Sequence, residues 1–160
     1  MERYQRIMLG NGLLVVLVAM FAGFMLMFDL IGGIEYWPGR LLEFEVYGTN
    51  AGWVRAHSGG VANGLLVMVV GLALPKLGLT TRMQAWTCWG FIYIAWSFTV
   101  FYWLGNASSN RALTLGPSAL GEPDTIGAIG FLPGVPSVVL VVFLLWMAAK
   151  GVLGGGAARP

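Results

Sequence analysis

Four long apolar runs constrain this chain more than any other feature. A helix needs about 20 mostly apolar residues to cross the hydrocarbon core of a bilayer. Four segments reach that length: about Ile7 to Leu30, Trp53 to Leu74, Met83 to Leu104 and Ile126 to Ala149. Each is continuously apolar, without the in–out alternation of a barrel strand, so helices are expected. Pro75 stops the second run, and Pro133 and Pro136 fall in the first half of the fourth. Only 10% of the residues are charged and the mean hydropathy is +0.77, whereas a soluble domain carries about 25% charged residues. The expectation is an all-α integral membrane protein, a four-helix bundle forming one transmembrane domain over residues 1–160. The first run has no small-residue cleavage site followed by a soluble domain, so it reads as a span rather than a signal peptide.

The charges sort between the two ends of such a bundle. The N-terminus, the short link Pro75 to Arg82 and the C-terminus hold Arg3, Arg6, Lys76, Arg82, Lys150 and Arg159 against Glu2 alone. The long connections, Ile31 to Gly52 and Gly105 to Thr125, hold Arg40, Arg55 and Arg111 with their edges. Against these stand Asp29, Glu35, Glu43, Glu45, Glu122 and Asp124. The positive-inside rule then puts both termini in the cytoplasm and the long loops outside. A net charge of only +2 gives no reason to expect a nucleic-acid partner. The single cysteine, Cys88, rules out an intrachain disulfide and dithiol redox chemistry, and reads as a small buried hydrophobe.

The polar groups left in or beside the spans need reasons. His57 is the only histidine, at the outer mouth of the second span. It is open to three readings: a packed, hydrogen-bonded side chain, a proton-relay group, or a metal or haem ligand. As an axial ligand it would be alone, leaving the opposite iron face free, and any site needing two histidines from one chain is excluded. Asn63 lies about two turns deeper, and six residues on an ideal helix place it about 120° from His57. The two share a face only if the helix is irregular, which Gly59 and Gly60 would permit. Asn63 serves either helix–helix hydrogen bonding or a pocket. Tyr102 is an interfacial anchor or a phenol donor. Arg55 and Arg111, on the same side as His57, pair with loop carboxylates such as Glu43 and Glu45 or with haem propionates. The stretch Asn106 to Pro117 is an ordered lid or a plain polar loop. Seven Trp, five Tyr and nine Phe exceed the needs of interfacial belts, consistent with an aromatic-lined cavity or with lipid-facing rings. Gly60-x-x-x-Gly64 matches the close-packing motif of membrane helices but is common. The echo of Asn11-Gly12-Leu13-Leu14-Val15 in Asn63-Gly64-Leu65-Leu66-Val67 is short enough to be chance.

Longer motifs carry a resemblance. Gly52-Trp53-Val54-Arg55-Ala56-His57-Ser58-Gly59 with Asn63-Gly64, then Phe101-Tyr102, then Asn110-Arg111-Ala112-Leu113-Thr114-Leu115-Gly116-Pro117, resemble the signatures of styrene oxide isomerases in order and spacing. The resemblance implies a homotrimeric membrane enzyme with haem b between protomers, His57 as axial ligand of a ferric iron, and Asn63 and Tyr102 by the open haem face. It implies isomerisation of a lipophilic aryl epoxide to an aldehyde, the Meinwald rearrangement, without net redox change. Asn63 and Tyr102 are then expected to orient the epoxide oxygen, Arg55 and Arg111 to hold the cofactor, and Trp96, Phe98 and Phe101 to wall the aryl group. A bacterial inner membrane is the expected location. Relatives can carry a histidine at the position of Asn11 and an acid near Ile94, and this chain has neither. Two other classes compete. A four-helix transporter would want a charge near the membrane centre, and the span cores hold none. A haem-binding sensor with the same ligation would differ only in lacking turnover.

Overall fold

The computed structural model describes residues 1–154. It is helical, with four helices long and apolar enough to cross a membrane. They are α1 (Arg3–Ile31), α2 (Asn50–Ala73), α3 (Thr81–Ala107) and α4 (Thr125–Gly154). Three of the expected spans lie wholly inside one of these helices, and the second fills α2 up to Ala73, with Leu74 passing into a short 3-10 turn, Leu74–Lys76, that contains Pro75. Thr49 Oγ1 accepts the Gly52 amide and Thr80 Oγ1 the Met83 amide, at 3.1 and 3.4 Å. Asp124 Oδ1 takes the Gly127 amide at 2.6 Å. Each satisfies a donor that the first helical turn leaves orphaned. Gly32 ends α1 in the left-handed region, φ 71°, with its amide on Phe28 O.

The first long connection is more ordered than its composition implied. Residues β1 (Gly33–Trp37) and β2 (Arg40–Glu43) form an antiparallel hairpin, irregular between Glu35 and Trp37. Its base is tied to α1 by the Phe44 amide on Gly32 O, 3.1 Å, and by the edge-on contact of Phe28 and Phe44.

The helices run up, down, up, down. α1 packs mainly on α2 and α4 on α3, while α3 also touches α1 and α2. α3 is therefore the most enclosed helix, half of its span buried, against 17% for α1 and 22% for α4. One apolar core, including Met8, Val67, Leu74, Phe91, Ile94 and Leu144, fills the end that carries the termini. Cys88 is buried in it, as expected of a small hydrophobe. A smaller cluster of Ala22, Trp53 and Ala56 fills the other end. The two prolines do not break α4. The Pro133 carbonyl takes the Ser137 and Tyr93 hydroxyls at 2.9 and 3.2 Å, the second of which ties α4 to α3.

The α1–α2 seam is built from residues with little or no side chain. A methyl on Gly64 would meet the Gly12 carbonyl at 2.7 Å, and one on Gly12 would meet the Gly64 carbonyl at 2.8 Å. Gly60 faces Ala19 and Gly71 faces Met8 in the same manner. The Gly60/Gly64 pair thus serves a contact inside the chain. The short echo between Asn11-Gly12 and Asn63-Gly64 sits where the two antiparallel helices cross. Close backbone approach of this kind replaces hydrophobic driving force between membrane helices.

Replacing Gly64 by alanine forces two backbones apart and should cost about 1–3 kcal/mol. Gly10→Ala, where nothing lies within 4 Å, should be neutral. Thermal unfolding in detergent checks the ranking, and equal melting of the two variants would count against the seam.

Candidate active site

His57 lies in the third turn of α2, half-buried, and its ring crosses the seam toward α1. Nδ1 is 2.9 Å from Ala19 O. A carbonyl oxygen only accepts, so Nδ1 carries the proton, and the lone pair of the neutral ring is on Nε2. Gly23 leaves the space that the ring occupies.

α2 is regular through Gly59 and Gly60, so the irregularity that would align His57 with Asn63 is not used. His57 turns to α1. Gly59 and Asn63, one turn apart, share a different face, and there Gly59 receives the ring of Tyr102 from α3. A methyl on Gly59 would fall 2.6 Å from Tyr102 Cε2. Asn63 Nδ2 is buried without a partner, a costly state that points to a missing acceptor. Tyr102 also stacks on Phe98, centroids 6.1 Å apart, and meets Phe101 edge-on at 5.6 Å.

A cavity of about 140 Å³ opens beside this group, lined by Arg55, Phe101, Tyr102, Gly105, Arg111 and Leu113. Four residues singled out from sequence therefore meet: Arg55, Arg111, Phe101 and Tyr102. Phe98 stands behind them. Trp96 is turned elsewhere, its indole donating to Asn11 Oδ1 at 3.0 Å, while Asn11 Nδ2 donates to Ile7 O. At Asn11 and Ile94 the chain thus places an amide that anchors Trp96 and a buried core residue.

The loop from Asn106 to Pro117 is held by its own hydrogen bonds, and Arg111 and Leu113 from it line the cavity. Asn110, fully buried, accepts from Ser108 Oγ and the Ala112 amide and donates to Thr114 O. These bonds support Arg111 and Ala112 at φ 60° and 54°, the conformation that aims Arg111 into the cavity wall. Asp124 closes the loop by accepting from Ser108 Oγ, the Ser109 amide and Ser109 Oγ. Below it, Asn106 Oδ1 accepts from the Thr49 amide and hydroxyl. Its amide group packs where Gly48 and Gly52 have no side chain. Sequence reading missed Ala19, Gly23 and Gly59 as partners of the site. Their only signal was small size within a span. Asp124 was more legible, as a capping residue type directly before an apolar run.

Among the described residues no three His, Cys, Asp or Glu side chains gather as metal-ion ligands. One imidazole with a free Nε2 suits instead an iron that brings its own equatorial donors. The two arginines suit the carboxylates of such a macrocycle. The residues fit haem on both counts.

Asp124 works as a latch. The Gly127 amide, then the Ser108 hydroxyl and the Ser109 donors, hold its carboxyl below the usual carboxylate range. A depressed folded-state value stabilises the loop fully above about pH 4 and loses that effect as the pH falls through it. Proteolysis within residues 109–122 should rise in the wild type only in strong acid. Asp124→Asn should be cut faster already at neutral pH, and equal cutting there would show the latch idle.

The family model for styrene oxide isomerase matches residues 4–153. A styrene-oxide isomerase of Pseudomonas fluorescens is 35% identical over 156 residues, 95% of this chain and 92% of that protein. With that extent of agreement, the chain belongs to the styrene oxide isomerase family.

Proposed function

We propose that this chain isomerises aryl epoxides such as styrene oxide to aldehydes such as phenylacetaldehyde, with ferric haem b as its cofactor. The observation that carries the reading is a lone imidazole with a free Nε2, in a member of this family whose buried Asn63 Nδ2 lacks a partner. The reaction is an internal rearrangement. The benzylic C–O bond breaks, a hydride moves from the terminal carbon to the benzylic carbon, and the oxygen's electron pair closes the carbonyl. Nothing is gained or lost, so no electron donor or water is needed.

His57 Nε2 would hold the iron, and Arg55 and Arg111 would pair with the propionates. When bound, ferric haem supplies a Lewis acid at its open face. The Tyr102 hydroxyl and Asn63 Nδ2 would each donate to the epoxide oxygen and fix its direction, and the oxygen would satisfy the amide that is now orphaned. Phe98 and Phe101 would wall the aryl ring, keep out water that would otherwise give a diol, and offer ring faces to positive charge at the benzylic carbon.

A homotrimer with the cofactor between subunits is part of the proposal. A cavity of about 140 Å³ is below the usual range of about 300–1,000 Å³ for ligand pockets, so one chain would not enclose a haem. His57 also faces away from its own Asn63 and Tyr102. A neighbouring copy would supply the second wall, and with it the Asn63 and Tyr102 that face the open side. The charge sorting supports termini in the cytoplasm and a bacterial inner membrane, and four apolar helices give a lipophilic epoxide direct entry from the bilayer.

The detergent-purified protein should show a Soret band and convert styrene oxide to phenylacetaldehyde. His57→Ala should lose both, and an active haem-free preparation would refute the cofactor. Tyr102→Phe should lower turnover by about 10²-fold or more with haem content near wild type. Co-expression of His57→Ala with Tyr102→Phe should recover part of the activity if the site is shared between copies. Mixtures no better than either variant would place all its parts in one chain.

A further inference from the structure

The ring of His57 has no hydrogen-bond partner on its own helix among the described residues. Its bond runs across the seam, from Nδ1 to Ala19 O. An imidazole side chain in water prefers the tautomer with the proton on Nε2, so this contact selects the less common form. Gly23 lies one turn beyond Ala19 on the same face of α1. A methyl on Gly23 would fall 2.8 Å from His57 Nδ1 and 3.1 Å from Cε1. This differs in kind from the crossing below it. At Gly64 an added methyl meets the backbone carbonyl of Gly12, and the helices must separate. At Gly23 it meets the mobile end of a side chain, and the ring alone must swing.

We infer that Gly23 is a positioning residue. Its missing side chain lets the imidazole lie against α1, where the Ala19 carbonyl fixes the Nδ1–H tautomer and presents Nε2 as a donor. A neutral carbonyl draws the proton less than a carboxylate would. Such a bond pushes less electron density through the ring to Nε2, and a metal held there would keep more of its electrophilic character. Only this last step rests on the proposed cofactor. The tautomer and the role of Gly23 stand on the chain itself.

His57 is the only histidine in the sequence, so ¹⁵N-histidine labelling of the full chain reports this ring without background. In the detergent-purified, haem-free protein, Nδ1 should be the protonated nitrogen and Nε2 the bare one. Gly23→Ala should shift the ring toward the Nε2–H form. Gly71→Ala is the control. Its methyl would press on Met8 Cβ at 2.8 Å in the same seam, about 21 Å along the helix from His57. It should lower the melting temperature and leave the ring signals as in the wild type. In the ferrous haem-loaded protein, the iron–histidine stretching frequency should fall in Gly23→Ala and hold in Gly71→Ala. A wild-type ring protonated on Nε2 would overturn the inference even if Gly23→Ala fails to fold. So would a folded Gly23→Ala that keeps the wild-type tautomer. An Nδ1–H ring in a protein that binds no haem would uphold the inference and sink the proposed cofactor instead.

Discussion

The close approach of α1 to α2 sets most of the rest. In lipid, two helices gain little by burying apolar surface against each other, because the tails they leave are as apolar as their side chains. What holds them is contact at short range, and here that contact is made where side chains are missing: Gly12 on Gly64, Gly60 on Ala19, Gly71 on Met8. The same closeness brings the Ala19 carbonyl within 2.9 Å of His57 Nδ1. Packing and the presentation of the imidazole are thus one event. A methyl at Gly64 would loosen the bundle, whereas one at Gly23 would release the ring from its acceptor.

At the end away from the termini the holding forces change character. The loops there carry polar side chains, and the structure ties them with hydrogen bonds rather than packing. Asn106 fastens the start of α2 to the end of α3 through Thr49. Asn110 braces the two left-handed residues that follow it. Asp124 caps α4 and gathers Ser108 and Ser109. Each of the three uses a short polar side chain to replace backbone partners that a loop lacks. Together they set Arg111 in the wall of the cavity that Arg55 and Tyr102 also line.

The spans were legible because lipid imposes a single rule on backbone and side chain alike, and Ile7 to Leu30 or Ile126 to Ala149 satisfy it without reference to any partner. The hairpin at Gly33–Trp37 and Arg40–Glu43 was not. Its pairing is set by register and a turn, and its few residues carry no clean alternation. His57, Asn63 and Tyr102 could be singled out, since a polar atom in an apolar run has to be accounted for. Their mutual placement could not be settled, because it depended on whether α2 stays regular at Gly59 and Gly60. It does. The glycines read as possible hinges instead serve as contact points, one for Tyr102 and one for Ala19. Trp96 shows the opposite limit. As an aromatic near Tyr102 in sequence it looked like pocket wall, but its indole nitrogen is committed to Asn11, a contact 85 residues away that no local pattern encodes.

Regularity of α2 has a consequence for catalysis on the proposed reading. A helix that presents His57 on one face and Asn63 on another, about 120° apart, cannot direct both at one small substrate. A bent helix could, but bending at mid-membrane exposes backbone groups to lipid at several kcal/mol each, roughly. Repeating the chain about an axis achieves the same convergence without bending anything. One copy would give the imidazole and the next the amide and the phenol, with each helix keeping its hydrogen bonds. The single histidine then stops being a shortage. On that reading one per chain is the number that a ring of identical copies would need, because every interface would receive one ligand.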